Sequence, residues 1–260
     1  MLNISIALKT ELLKLKHARI FLVIIAFHVF IPIMMGLLML LSQYPETAAK
    51  MGLVGTKAAL FATNNWDGYL AIINQVIAVV GLIGFGFVIS WIFGREFIEN
   101  TMTSTLALPI QRGTIVLAKY IVAVLICTGL AVVLYSASIG MGKIIHIPGW
   151  SNEIASAFTS KFFITAGMSI LVSLPVGFMA SWGRGIVAPI GFVIVTLIMS
   201  QFVALAGLGP YFPWAIPGVY TVPAGTQGME LHTASYLIVL LTALLAVGST
   251  IIWWNRAEHH

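Results

Sequence analysis

Charge is what this sequence has least of. Only 8% of its 260 residues are Asp, Glu, Lys or Arg, where soluble proteins carry about 25%. Thirteen basic and eight acidic side chains cannot cover the surface of a 28.1 kDa soluble chain, so a free cytosolic protein is excluded. Disorder and a coiled coil go with it, because hydrophobic residues make up 60% of the chain and mean hydropathy is +1.03. Cysteine is nearly absent. The single Cys127 rules out an internal disulfide framework and a Cys-rich metal site. The six histidines are scattered, and no H-E-x-x-H or G-x-S-x-G pattern occurs. No G-x-x-x-x-G-K-[ST] phosphate loop occurs either. Its nearest approach, Gly140-Met-Gly-Lys143, lacks the first glycine and the hydroxyl residue. The net charge of +5 is too small and too dispersed to suggest nucleic acid.

What is present is a set of long apolar runs. A bilayer core about 30 Å thick needs roughly 20 apolar residues in a helix. Six runs qualify: Ile20–Leu41, Tyr69–Phe93, Ile115–Met141, Phe162–Trp182, Ile186–Leu208 and Ser235–Trp254. The first is too long for a signal-peptide core and lacks an A-x-A site after it, so it is expected to remain as a span. All eight acidic residues fall between or outside the runs. The basic residues are read the same way, with Lys119 counted to the connection at the edge of the third run. The fold expected is an all-α integral membrane protein, a single transmembrane domain over 1–260.

Orientation follows from Lys and Arg near the span ends. One side holds nine (Lys9, Lys14, Lys16, Arg19, Arg95, Arg112, Lys119, Arg184, Arg256) and the other four (Lys50, Lys57, Lys143, Lys161). The nine mark the cytoplasm, which puts both termini inside. Trp91, Trp150, Trp182, Trp253 and Trp254 lie near span ends and are expected as interfacial anchors. Residues 1–19 place Ile4, Leu8, Leu12 and Leu15 on one helical stripe, with Lys9, Lys14 and Lys16 off it. That predicts a helix lying in the cytoplasmic interface, lysines toward anionic headgroups.

Two connections stand out. Residues 94–119 form the longest cytoplasmic one. Arg95, Glu96 and Glu99 precede a polar run from Thr101 to Thr105, and Leu106-Ala-Leu ends at Pro109. Proline disfavours helix in the residue before it, so a short helix should stop there. Apolar on one side and bounded by charges, it suits docking onto a soluble partner; an ordinary solvated connection is the alternative. The external segment 209–233 holds four prolines, four aromatic residues and the single charge Glu230. It is expected to sit in the headgroup layer or dip into it, with an interfacial cap that seals the fold as the plainer role.

The run Trp91-Ile-Phe-Gly-Arg-Glu-Phe-Ile-Glu-Asn-Thr, then Leu106-Ala-Leu-Pro-Ile-Gln-Arg and Ile115-Val-Leu-Ala-Lys119, resembles the first cytoplasmic loop of type 2 ABC exporter permeases. It is most similar to the bacitracin-resistance and lantibiotic-immunity group. Length, six spans and a basic N-terminal elbow helix agree, and Met51–Phe61 with Trp66 is also similar. One departure is Asn100, where the family commonly has Gly in a Glu-Gly-Thr step; Asn tolerates left-handed backbone better than most residues. The resemblance implies that 94–119 carries a coupling helix seated in a groove of a separate ATPase subunit. Its positions here are Arg95, Glu96, Glu99, Thr101, Leu106, Pro109 and Arg112. It also implies ATP and Mg on that partner, with no cofactor in this chain. A second permease copy or a related permease completes the complex in the plasma membrane.

Polar groups inside the runs are few, and none is charged by this reading. His28, Asn74, Gln75, Tyr135, Ser173 and Gln201 are the candidate lining of a substrate path. Each has a plainer role open to it in packing, and His28 could satisfy a backbone group freed by Pro32. Ser138 with Gly142, and Gly81, Gly84 and Gly86, read as close-contact faces. Buried Asp, Glu, Lys or Arg usually mark ion-coupled transport, so their lack points to an amphipathic or lipid-like cargo. The alternatives from other classes are an intramembrane enzyme acting on lipid or peptide substrates and a passive pore or anchor.

Overall fold

Apolar runs of this length bury their backbone polar groups only as helices, and the computed structural model is all-helical throughout its described residues, 2–16, 18, 20–42, 65–106, 110–223 and 230–256. Most of the 42–68 connection (with Lys50, Lys57 and the 51–61 stretch), residues 224–229, Pro109 and the terminal histidines lie outside them, as does the side chain of Leu106. The helices are α1 (Leu2–Lys16), α2 (Ile20–Ser42), α3 (Trp66–Ile98), α4 (Met102–Leu106), α5 (Arg112–Ile144), α6 (Asn152–Ser173), α7 (Pro175–Trp182), α8 (Val187–Leu205), α9 (Ile216–Thr221) and α10 (Thr233–Arg256). Among the described residues, six helical stretches are long and apolar enough to cross a membrane, with α6 and α7 forming one of them.

The helices overrun the apolar runs where the sequence supplies caps. Asn65 accepts from Gly68 N at 2.9 Å, which starts α3 three residues before its run. Ser151 accepts from Ile154 N at 3.1 Å, which starts α6 ten residues early. The fourth span breaks at Pro175, whose ring nitrogen cannot donate to the helix ladder. Tyr120 on α5 reaches this break, donating to Leu174 O at 3.2 Å, and Gly177 leaves the room its ring needs.

Helix α3 is the hub, packing on α2, α5, α6, α7, α8 and α9. Its small residues allow close approach, as expected: the His28 ring of α2 sits on Gly84, and Val193 of α8 on Gly86. Gly142 takes Trp66 in the same way. Helices α2, α8 and α10 are peripheral and leave apolar faces uncovered, among them Leu22, Val187, Leu205 and Leu245. Such faces fit a hydrocarbon surround.

Trp254 departs from the anchoring role expected of it. It is fully buried and donates from Nε1 to Ser181 Oγ at 2.9 Å. Its backbone carbonyl accepts from Arg112 Nη1 at 3.0 Å, which sets the end of α10 beside the start of α5. In the 209–233 segment, a 3-10 turn at Gly209–Tyr211 leads into α9. Ile216, Pro217 and Val219 of α9 are buried, so the segment folds back onto the bundle.

Candidate functional site

The 94–119 connection begins with a turn that its sequence builds. Thr101 N donates to Glu96 O at 3.0 Å and Asn100 N to Phe97 O at 3.4 Å. This pairing ends a helix when the residue after it adopts left-handed backbone. Asn100 does so, with φ of 53°, and thus fills the place of glycine. The short helix α4 follows. Met102 anchors it in the core, Thr105 is buried, and Thr101 and Ser104 face outward. Half-buried Ile110 then packs on the core, and α5 begins at Arg112.

Where α1, α3 and α5 meet lies a ring of four charges. Lys14 Nζ is 2.7 Å from Glu11 Oε1 and 2.6 Å from Glu96 Oε1. Lys119 Nζ is 3.0 Å from Glu96 Oε1 and 3.3 Å from Glu11 Oε2. It also donates to Ile92 O at 3.1 Å. Glu11, Glu96 and Lys119 are buried. The charges alternate and sum to zero, the arrangement that buried ions require. Burial alone would lower the Lys14 pKa, but Glu96 and Glu11 more than offset it and hold it above the ordinary 10.5. Outside the ring, Arg95 donates from Nε to Glu99 Oε2 at 2.9 Å and from Nη1 to Lys14 O at 3.2 Å. Its guanidinium lies 4.9 Å from the Trp91 ring centre. Helices α1, α3 and α5 are thereby tied together at the base of the connection.

Three features of this ring differ from the sequence expectations. Lys119 lies within the body of α5, not in the connection. Glu96 belongs to α3, not to the connection, and is buried. Lys14 turns inward and not toward headgroups. The face of α1 on the bundle comprises Ala7, Glu11 and Lys14, with Leu8 and Leu15 half-buried, while Leu12 of the expected apolar stripe is exposed. Sequence reasoning missed Glu11 and Lys119. The available signal was Lys119 itself, a cation four residues into an apolar run, which demands a carboxylate at the same depth.

The candidate path residues separate. Gln75 and Gln201 line one cavity of about 280 Å³ with Ser200 and Trp214. Asn74 lines another, between α3 and α6. Tyr135 is held by Thr159 Oγ1 at 2.8 Å and stacks on Phe158. Ser173 is buried and donates to Ser169 O at 2.7 Å. His28 is fully buried, with Nδ1 2.9 Å from Ile24 O. That carbonyl is not the one Pro32 frees, which belongs to His28 itself. Of the six, Gln75 and Gln201 share a cavity.

A family model described as "ABC-2 family transporter protein" matches residues 7–200. The chain is also similar to the bacitracin transport permease protein BCRB of Bacillus licheniformis, at 22% identity over 186 residues, 71% of this chain and 88% of that protein. The family-model match takes in α1 from Ala7 onward, the charge ring and the whole 94–119 connection.

Proposed function

Because the chain belongs to the ABC-2 family of transporter proteins, and so is the permease part of a multi-pass membrane transporter, we propose that it serves as the membrane subunit of an exporter driven by a separate ATPase. ATP and Mg bind on that ATPase, not here. The cargo is an amphipathic, peptide-antibiotic-like or lipid-like molecule. A second copy of the chain, or a related permease, pairs with it in the plasma membrane. The α1 helix lies in the cytoplasmic interface as an elbow, and both termini face the cytoplasm.

The observation that carries this reading is the charge ring. An ATPase that closes on ATP must move the spans through a stiff lever. Helix α4 sits between α3 and α5 in the chain, and the ring ties the end of α3 and the first turns of α5 to each other and to α1. A push on α4 is then transmitted to two spans and the elbow at once. The ring also speaks against an intramembrane enzyme. Glu96 is occupied by two lysines and Glu99 by Arg95, which leaves no carboxylate pair at this site for acid–base work.

The orientation is tested by cysteine labelling. Thr105 is buried and therefore a poor reporter, but Ser104 and Ser156 are exposed. The native Cys127 is fully buried and should stay silent. An impermeant maleimide applied to intact cells should label Ser156→Cys and spare Ser104→Cys until the membrane is opened. The reverse order would invert the topology.

The energy source is tested in vesicles holding the permease and its ATPase. The buried charges of the ring are paired at one end of the bundle, the half-buried Lys161 toward the other end donates to Thr221 O, and the buried polar groups between them are weakly polar. Export at constant ATP should therefore be unchanged by an uncoupler or a sodium ionophore. A loss of export under either would show ion coupling.

A further inference from the structure

The opposite end of the bundle carries a cavity of about 330 Å³ between the starts of α3 and α6. Asp67 and Glu153 line it, together with Asn74, Lys161 and an apolar wall that includes Leu70 and Phe158. Acidic residues in the first turn of a helix often serve the helix itself. Here the capping is already done by Asn65 and Ser151, and both carboxylates are exposed with no ion pair among the described residues. Asn74 supplies an independent sign of a ligand. It is only 4% exposed, and its Oδ1 has no hydrogen-bond partner among the described residues. A buried amide oxygen without a donor is costly, and this one belongs to a residue that lines the cavity. Lys161 does not neutralise the site fully. Its Nζ donates to Thr221 O at 3.0 Å, and the lining charges still sum to one negative.

We propose that this cavity binds the ammonium group of an amphipathic amine. The carboxylates of Asp67 and Glu153 and the Asn74 oxygen receive its N–H donors, and the apolar wall takes the attached hydrocarbon. Acceptors without a competing donor, set beside an apolar wall, match a cation carried on a greasy body. A metal ion fits less well, since no group of three His, Cys, Asp or Glu side chains able to hold one occurs among the described residues. The inference rests on the exporter reading, and on its orientation, for placing this amine site at the external mouth of the permease.

The test needs neither ATPase nor transport, so its failure is separable from failure of the exporter reading. The full chain is placed in phosphatidylcholine nanodiscs and titrated by saturation-transfer NMR with phenethylammonium and with neutral phenethyl alcohol, empty nanodiscs being subtracted. The ammonium should bind saturably and the alcohol at least about tenfold more weakly, the scale of a lost hydrogen bond to a charged group. Asp67→Asn with Glu153→Gln, both at exposed positions, should weaken the ammonium by a similar factor and leave the alcohol unchanged. Asn74→Leu should weaken it as well. Equal binding of the two probes, unaltered binding by the double variant, or no saturable binding of the ammonium would each overturn the proposal.

Discussion

Lys119→Met should cost this protein more stability than any other single change at the cytoplasmic end. The Lys119 ammonium is completely buried and touches Glu11, Glu96 and the Ile92 carbonyl. Removing it leaves two buried carboxylates facing Lys14 alone. Glu96 Oε2 already lacks a hydrogen-bond partner among the described residues, so nothing nearby absorbs the surplus charge. Breaking a buried pair from one side typically costs about 3–5 kcal/mol. The thermal midpoint of the detergent-purified chain, followed by fluorescence-detected size exclusion, should fall by on the order of 10 °C. Adding Glu96→Gln to Lys119→Met restores the balance of charge, with Glu11 and Lys14 left as a pair, and should recover most of the loss. The outer pair behaves differently. Glu99 is about half exposed at its side chain, 49%, and pairs of that kind contribute about 0–1 kcal/mol. Glu99→Ala should therefore leave the midpoint nearly unchanged. Equal midpoints for Lys119→Met and wild type would mean that the ring is not a structural tie.

The same residues show where the sequence was readable and where it was not. The six spans follow from hydropathy because a bilayer imposes length and apolarity on each helix separately. Asn100 could be read as a turn residue because left-handed backbone is a local demand, and its side chain meets it. The early starts of α3 and α6 depend on the caps Asn65 and Ser151, which lie outside the apolar runs, where hydropathy carries no helix signal. Tertiary facts were the ones lost. Charged residues near span ends are normally wet, so Lys14 and Glu96 read as surface groups. Only the packing of α1 across α3 and α5 dries them. Trp254 reads as an anchor by position, yet its indole N–H finds a buried hydroxyl on α7, and no local pattern announces that partner. The candidate path divided for a similar reason. Asn74 and Gln75 are adjacent in sequence, but successive helical residues diverge by about 100°, and they open into different cavities.

The second large effect concerns the lever. Replacing Leu106 and Leu108 together with Asp should detach the ATPase while leaving the permease folded. Leu106 closes α4, and Leu108 follows it in the sequence just before Pro109, between the second and third spans. On the exporter reading they enter the partner's groove. Losing an apolar contact there removes roughly 1.5–3 kcal/mol for each buried side chain, and a carboxylate pressed into the groove adds a desolvation cost. Together these weaken the contact by about two to four orders of magnitude. Expression and the thermal midpoint of the isolated permease should stay close to wild type, which separates this outcome from that of Lys119→Met.

The decisive measurement is co-purification of the ATPase subunit with tagged wild type and with the Leu106→Asp, Leu108→Asp variant, at matched amounts of folded permease. The ATPase should accompany wild type and be lost from the variant. Equal recovery of the ATPase with both would show that the 94–119 connection is not where the transporter is driven.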